Sequence, residues 1–104
     1  MTTLKNPEDV TSLEDVRVGI DHYDREIFQA LQERLRYVLA AAQFKPTEES
    51  IPAPERVAVM LEERRQWAID AGFDEDFIKT LYEHIIYWNI QQQILYWREM
   101  HGKD

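Results

Sequence analysis

Several basic side chains and one amide in this sequence have types and spacings suited to binding an anion, and Arg34 is the clearest of them. Apolar residues recur along one helical face with the spacing i, i+3, i+4, i+7, at Ile20, Tyr23, Ile27, Leu31, Val38 and Ala41. Arg34 occupies the position in this stripe between Leu31 and Val38. A guanidinium that faces inward must pair with an acid or point at an anion, because a lone buried charge is very costly. With 20 acidic and 12 basic residues in the chain, an internal salt bridge and an anionic ligand are both open.

Lys45, Arg17 and Gln93 extend this pattern. Lys45 follows Arg34 by eleven residues, about 20° round the same face if the helix continued that far. Arg17 is about 25 Å from Arg34 along the helix axis and roughly 100° from it around that axis. Within one chain the two side chains therefore cannot contact the same small molecule. Gln93 lies on an apolar face, where an unsatisfied amide would cost about 1–3 kcal/mol, so it either bonds across the core or faces a ligand. The other members of that face are Tyr82, Ile86, Asn89 or Ile90, Trp97 and Met100.

The elements that position these residues are predicted to be three helices, so the fold class is all-α. Helix one runs from about Ser12 to about Ala42, and begins with a capping box formed by Thr11 and Glu14 or by Ser12 and Asp15. Residues 43–53 form a loop bounded by prolines. Helix two begins at Pro54 and is capped by Gly72, and helix three begins in the acidic stretch 74–76 and continues to about Met100. Residues 1–10 are polar and are expected to fray.

The lengths of the helices predict a dimer. Helix one would be about 46 Å long, whereas a compact monomer of this size is roughly 33 Å across. The third helix is almost as long, so we expect long helices from two chains to share one core, the alternative being a bent or broken helix. In an intertwined antiparallel dimer, Arg17 of one chain could meet Arg34 of the other, and two equivalent cationic pockets would follow from the two-fold symmetry.

The composition bounds the class of protein. Residues 1–104 suffice for one domain. The net charge of −8 argues against nucleic acid and anionic membrane as partners, and means that an anionic ligand needs a local cationic cluster. The absence of cysteine excludes disulfides and cysteine-based zinc sites. Neither a signal peptide nor a membrane span is expected, so the cytoplasm is the expected location.

The histidines, the tryptophans and the charged run 62–65 are expected to have structural roles. The three histidines, His22, His84 and His101, form no Glu-x-x-His pair, so no metal site is predicted. The tryptophans at helical spacing, Trp67, Trp88 and Trp97, are expected in the core. The charged run 62–65 is expected to be a solvated helix face.

The order of these residues resembles the all-helical chorismate mutase family over nearly the whole chain. In helix one the resemblance is carried by Leu13, Arg17, Ile20, Asp21, Asp24, Ile27, Leu31, Arg34 and Lys45, with Arg56 and Gln93 at two further site positions. The sequence is most similar to one branch, the isochorismate pyruvate lyases of salicylate (pyochelin-type) siderophore synthesis. That similarity lies in Phe44-Lys45, the stretches 51–57, 60–61, 67–68 and 85–86, Trp88, Gln93-Ile94 and the stretch 96–98.

One departure from the mutase pattern favours the lyase branch. Typical mutases have an acid three residues before the helix-two arginine and a glutamate just after it, and these hold the ring hydroxyl of chorismate. Here those positions are Ala53 and Val57, which cannot accept that bond. An unpaired hydroxyl in a dry site is penalised, so the pocket suits isochorismate, whose hydroxyl is elsewhere on the ring.

The resemblance implies a pericyclic conversion of isochorismate to salicylate and pyruvate, without cofactor, metal, nucleophile or general base. Such a reaction needs a folded substrate and fixed charge near the breaking bond. Arg17 of the partner chain and Arg34 would bind the two carboxylates of the dianionic substrate, in either assignment. Lys45 and Gln93 would act at the ether oxygen, and Arg56 would support the pocket or the loop. The loop after Lys45 either closes over substrate or is a rigid connection.

Two alternative functions stay open from the sequence. The first alternative to the lyase is a chorismate mutase, and weak mutase activity could also accompany lyase activity in the same protein. The second alternative is a non-catalytic helical dimer. In the last case Arg34 is an internal ion pair and Gln93 a core amide.

Overall fold

The structure, a computed structural model, describes residues 3–102 and consists of three α-helices. They are α1 (Leu13–Ala41), α2 (Pro54–Ala71) and α3 (Glu75–Met100). Short 3₁₀ turns occur at Pro7–Asp9, Ala42–Phe44 and Glu48–Ser50. No strand occurs among the described residues, so the predicted all-α class is confirmed. No helix in that part of the chain is long and apolar enough to cross a membrane.

Backbone contacts divide the chain into two units, Met1–Arg36 and Tyr37–Asp104. In the first unit, the start of α1 is capped by Ser12, whose Oγ accepts a hydrogen bond from the backbone N–H of Asp15 at 3.1 Å. The Asp15 carboxylate accepts from the backbone N–H of Thr11 at 3.0 Å and from Lys5 Nζ at 2.9 Å. Of the two predicted capping boxes, the Ser12–Asp15 pair therefore forms. The Asp15 carboxylate accepts its backbone hydrogen bond from Thr11, the residue before Ser12.

The segment before α1, for which fraying stays an expectation, makes local contacts in the structure. Within residues 3–10, Pro7–Asp9 forms a 3₁₀ turn and Lys5 is ion-paired to Asp15. The sequence pattern did not indicate this contact because a lysine ten residues before its acid has no fixed geometry until the chain turns. Residues 1 and 2 lie outside the described part of the chain.

The ion pair at Asp15 predicts a pH dependence of stability. Hydrogen bonds from the Thr11 backbone and then from Lys5 lower the pKa of Asp15 to about 2, from an ordinary value of 3.8. The ionised carboxylate therefore stabilises the folded chain above about pH 4, and this contribution is lost as the pH falls towards 2. We expect Asp15→Asn to lower the midpoint of urea unfolding at pH 7, and its difference from wild type to shrink between pH 4 and pH 2. Asp9→Asn, at an exposed acid of the same segment, is the control; a difference independent of pH would contradict the role of the charge.

The apolar face of α1 is largely exposed in the single chain. Ile20, Tyr23 and Ile27 are 55%, 58% and 58% exposed, and Leu31 is 39% exposed. Exposed apolar side chains along one face of a helix are typical of interaction sites.

In the second unit, α2 and α3 form a hairpin with defined caps. Gly72 adopts a positive φ of 68°, which a residue without Cβ adopts at no steric cost. The N–H of Phe73 then donates to the carbonyl of Ala68 at 2.8 Å, the six-to-one bond of a Schellman motif. The carboxylate of Asp74 accepts from the N–H of Phe77 at 2.8 Å and caps α3. The predicted glycine cap and acidic helix start are confirmed.

The charged run 62–65 was predicted to be a solvated face, and this is wrong for Arg64. Its side chain is only 18% exposed. The guanidinium carbon lies 4.4 Å from the ring centroid of Trp67 and 5.7 Å from that of Tyr82. An arginine can lay its guanidinium over aromatic faces while burying its stem, and only the α2–α3 packing brings Tyr82 within reach.

The core of the second unit includes the loop after α1. Ala42, Ile51 and Trp97 are 0%, 2% and 4% exposed and form one cluster, against which Ile90 and Ile94 pack. The loop is thus held by buried contacts with α3. Of the three tryptophans predicted in the core, Trp97 is buried, whereas Trp67 and Trp88 are about half exposed in the single chain.

Candidate active site

Lys45 ends the 3₁₀ turn after α1, and its backbone is fixed on both sides. Its N–H donates to the carbonyl of Ala42 at 3.1 Å, and its carbonyl accepts from the indole Nε1 of Trp97 at 2.9 Å. Its backbone is extended, with φ −95° and ψ 115°, the region that a following proline such as Pro46 favours. The residue is half-buried, and no acid within residues 3–102 pairs with its ammonium.

Gln93 lies in α3 and is 5% exposed. Its Nε2 donates to the backbone carbonyl of Val38 at 2.7 Å, so the amide does bond across the core. An amide nitrogen carries two hydrogens, so this bond orients the group and leaves a second hydrogen. Gln93 and Trp97 are one helical turn apart on the same side of α3, and Trp97 holds Lys45. The structure thus brings Lys45 and Gln93 to one side of α3.

The loop between Lys45 and α2 is attached to α3 by a forked ion pair. Arg98 Nε lies 2.6 Å from Glu48 Oε1, and Arg98 Nη2 lies 2.9 Å from Glu48 Oε2. The hydrogen bonds and the charge of Glu48 raise the pKa of Arg98. The loop 43–53 is thus attached to α3 at three points. The Lys45 carbonyl bonds to Trp97, Glu48 pairs with Arg98, and Ile51 is buried in the cluster that contains Trp97.

The three arginines that the sequence predicts in the site, Arg17, Arg34 and Arg56, lie on α1 and α2. Arg17 is exposed near the start of α1 and forms no ion pair with the described residues, and Arg34 is half-buried near its end. An uninterrupted helix joins them, so one chain keeps them about 25 Å apart. Arg56, in the first turn of α2, is 60% exposed and its Nη1 lies 3.6 Å from Glu63 Oε1.

Sequence reasoning missed the pairing of Arg98 with Glu48, and left open which of Asn89 and Ile90 faces inward. Asn89 is the more buried of the two, at 3% exposed, while Ile90 is half-buried and packs against the core cluster. Glu48 and Arg98 are 50 residues apart, and no local periodicity links charges at that separation. Met100, placed on the same inner face of α3, is 46% exposed because the helix ends there.

In the described residues, no group of three His, Cys, Asp or Glu side chains is arranged to hold a metal ion. His22 lies 3.1 Å from Glu26 on α1, and His101 stacks on Trp97 at a centroid distance of 3.8 Å. The groups attached to α3 are therefore the backbone of Lys45, the amide of Gln93 and the ion-paired Glu48 of the loop.

The sequence of this all-helical chain matches a known protein family. Residues 16–94 match the family Chorismate mutase type II, and the chain belongs to this family. The isochorismate pyruvate lyase of Pseudomonas aeruginosa is 52% identical over 99 residues, which cover 95% of this chain and 98% of that protein. The resemblance expected from the sequence is confirmed, and it extends over all three helices and the loop.

Proposed function

We propose that this protein is an isochorismate pyruvate lyase that converts isochorismate to salicylate and pyruvate, with the salicylate used for siderophore synthesis. Its 52% identity to the lyase of Pseudomonas aeruginosa supports this. The structural observation that carries the proposal is that α3 holds Gln93 and the backbone of Lys45 on one side. In the reaction the ether C–O bond breaks while a hydrogen moves from the ring to the methylene carbon of the enolpyruvyl group. Pyruvate leaves and the ring becomes aromatic, without a cofactor.

Lys45 and Gln93 are proposed as the catalytic residues. As the C–O bond breaks, negative charge develops on the ether oxygen and the departing enolpyruvyl group. An ammonium and an amide hydrogen that are already fixed in place stabilise this charge without reorganising. The fixed backbone of Lys45 and the bond from Gln93 to Val38 supply that preorganisation.

Arg17 and Arg34 are proposed to bind the two carboxylates of the substrate. A guanidinium presents a planar fork that matches a carboxylate, so two such contacts hold the dianion in one folded conformer. These local cations oppose the overall charge of −8. Arg56, at the start of α2, is proposed to support the loop or the pocket rim.

The functional unit is proposed to be an intertwined homodimer in which Arg17 comes from the partner. The exposed apolar face of α1 supports this, because its burial against a second copy would stabilise the dimer by about 25 cal/mol per Å² of apolar surface. The distance of about 25 Å between Arg17 and Arg34 in one helix gives a second reason. A pocket completed by two chains places both arginines at one substrate.

Ala53 and Val57 are proposed to select isochorismate over chorismate. Ala53 precedes α2 in a left-handed conformation with φ 39°, and its carbonyl accepts from the N–H of Val57 at 3.1 Å. Neither side chain can accept a hydrogen bond from a substrate hydroxyl. Because the family also carries the name chorismate mutase, conversion of chorismate to prephenate is the second candidate function.

The test is to supply the purified protein with isochorismate and follow salicylate fluorescence, with chorismate in parallel and prephenate measured. We expect rapid salicylate formation and little prephenate. Prephenate from chorismate without salicylate would instead establish a mutase and overturn the proposed role of Ala53 and Val57. If neither product forms, thermal unfolding with salicylate or pyruvate tests the non-catalytic dimer, which should gain no stability from either ligand.

A further inference from the structure

We propose, on the basis of the function proposed above, that Arg98 and Trp97 are positioning residues that set the place of the Lys45 ammonium. They do so by holding the loop that Lys45 begins, Arg98 through Glu48 and Trp97 through the Lys45 carbonyl. Neither side chain needs to touch the substrate for this role.

The Arg98–Glu48 pair has the geometry of a specific attachment. Both carboxylate oxygens of Glu48 are engaged, at 2.6 and 2.9 Å, by two nitrogens of one guanidinium. A bidentate fork of this kind defines direction as well as distance. Glu48 opens the 3₁₀ turn Glu48–Ser50, only three residues after Lys45. The pair therefore fixes the chain immediately downstream of the catalytic lysine.

Trp97 attaches the same loop at Lys45, before the 3₁₀ turn Glu48–Ser50. Its buried indole donates to the carbonyl of Lys45 at 2.9 Å, and an indole has only this one hydrogen-bonding group. Trp97 follows Gln93 by one helical turn, and Arg98 is its neighbour. Residues 93–98 of α3, about one and a half turns, thus carry Gln93 and both attachments of the Lys45 loop.

This arrangement couples two proposed catalytic groups through one rigid helix. A displacement of about 1 Å in a catalytic group can cost about 10²-fold in rate. If the loop is released, the lysine side chain samples positions away from the ether oxygen, and only the correctly placed fraction reacts. The expected loss therefore falls mainly on kcat, because the arginines that bind the carboxylates are left in place.

The experiment combines hydrogen exchange with kinetics on Arg98→Gln, Glu48→Gln, the double variant and Trp97→Phe in the full chain. Arg65→Gln is the matched control, because Arg65 also pairs with two acids, Glu62 and Glu75, away from the loop. We expect Arg98→Gln and Trp97→Phe to speed amide exchange in residues 44–53 while α3 keeps its protection. We also expect kcat for isochorismate to fall about 10-fold to 100-fold with KM changed less than about threefold.

The double variant distinguishes a shared role from two separate ones. If Arg98 acts through Glu48, the double variant loses no more activity than either single variant. Unchanged exchange in residues 44–53 and unchanged kcat in both Arg98→Gln and Trp97→Phe would overturn the proposal, as would equal effects in Arg65→Gln. Hydrogen exchange needs no substrate, so it tests the attachment even if the wild-type protein makes no salicylate, a result that would refute the proposed function instead.

Discussion

Replacing Lys45 with alanine is expected to lower kcat/KM for isochorismate by about 10²–10³-fold, the loss typical of removing one donor to developing negative charge. The fold should survive, because both attachments of this residue use backbone atoms, the N–H to Ala42 and the carbonyl to Trp97. Circular dichroism and light scattering would check the helix content and the oligomeric state, and salicylate fluorescence would measure turnover.

Lys79→Ala is the control for this prediction, since Lys79 is an exposed lysine in the second turn of α3. It removes the same charge from the same chain and should leave turnover unchanged. Lys45→Arg adds a second comparison, because it keeps the charge but changes the shape of the head group. Near-normal turnover in Lys45→Ala would show that its ammonium does not stabilise the transition state.

Arg34→Ala is expected to remove about 2–5 kcal/mol of transition-state binding, by analogy with truncating one partner of a desolvated charge pair. This corresponds to roughly a 30-fold to 5,000-fold loss in kcat/KM. Arg36→Ala is a close control, because Arg36 lies two residues further along α1 and pairs with Glu33 on the exposed surface at 2.9 Å. Steady-state kinetics on both variants would measure the difference. A loss below tenfold for Arg34→Ala would count against its assignment to a substrate carboxylate.

Mixing subunits separates a site made by two chains from a site made by one. If Arg17 of one chain acts with Arg34 of the other, a mixed dimer of Arg17→Ala and Arg34→Ala chains has one intact pocket and one pocket lacking both arginines. Such a dimer should recover about half of the wild-type activity. If each pocket drew both arginines from one chain, every pocket in the mixed dimer would lack one arginine, and no activity would return.

The attachment of the loop bears on whether it acts as a lid. The structure holds residues 45–51 against α3 through Lys45, the Glu48–Arg98 pair and buried Ile51. For the loop to move as a lid, these contacts would have to break. The exchange experiment on residues 44–53 reports how often these contacts open.

Much of this protein follows from local rules in its sequence. The start of α2 at Pro54, the cap at Gly72 and the end of α3 near Met100 follow from backbone preferences that act within four residues. The apolar stripe of α1 follows from the helical period, as does the intrusion of Arg34 into it. The order and spacing of Arg17, Arg34, Lys45 and Gln93, together with the residues around them, indicated the family.

The tertiary structure decided which distant groups meet. The bond from Trp97 to the Lys45 carbonyl joins residues 52 apart in sequence, and that from Gln93 to Val38 joins residues 55 apart. Helical periodicity relates side chains only along one helix, so it could not show that the loop folds onto α3. Composition likewise could not show that Arg64 lies on aromatic rings while Lys45 keeps no acidic partner among the described residues. The sequence alone determined the helices and the residue types, whereas the packing of the loop on α3 determined which distant residues are in contact.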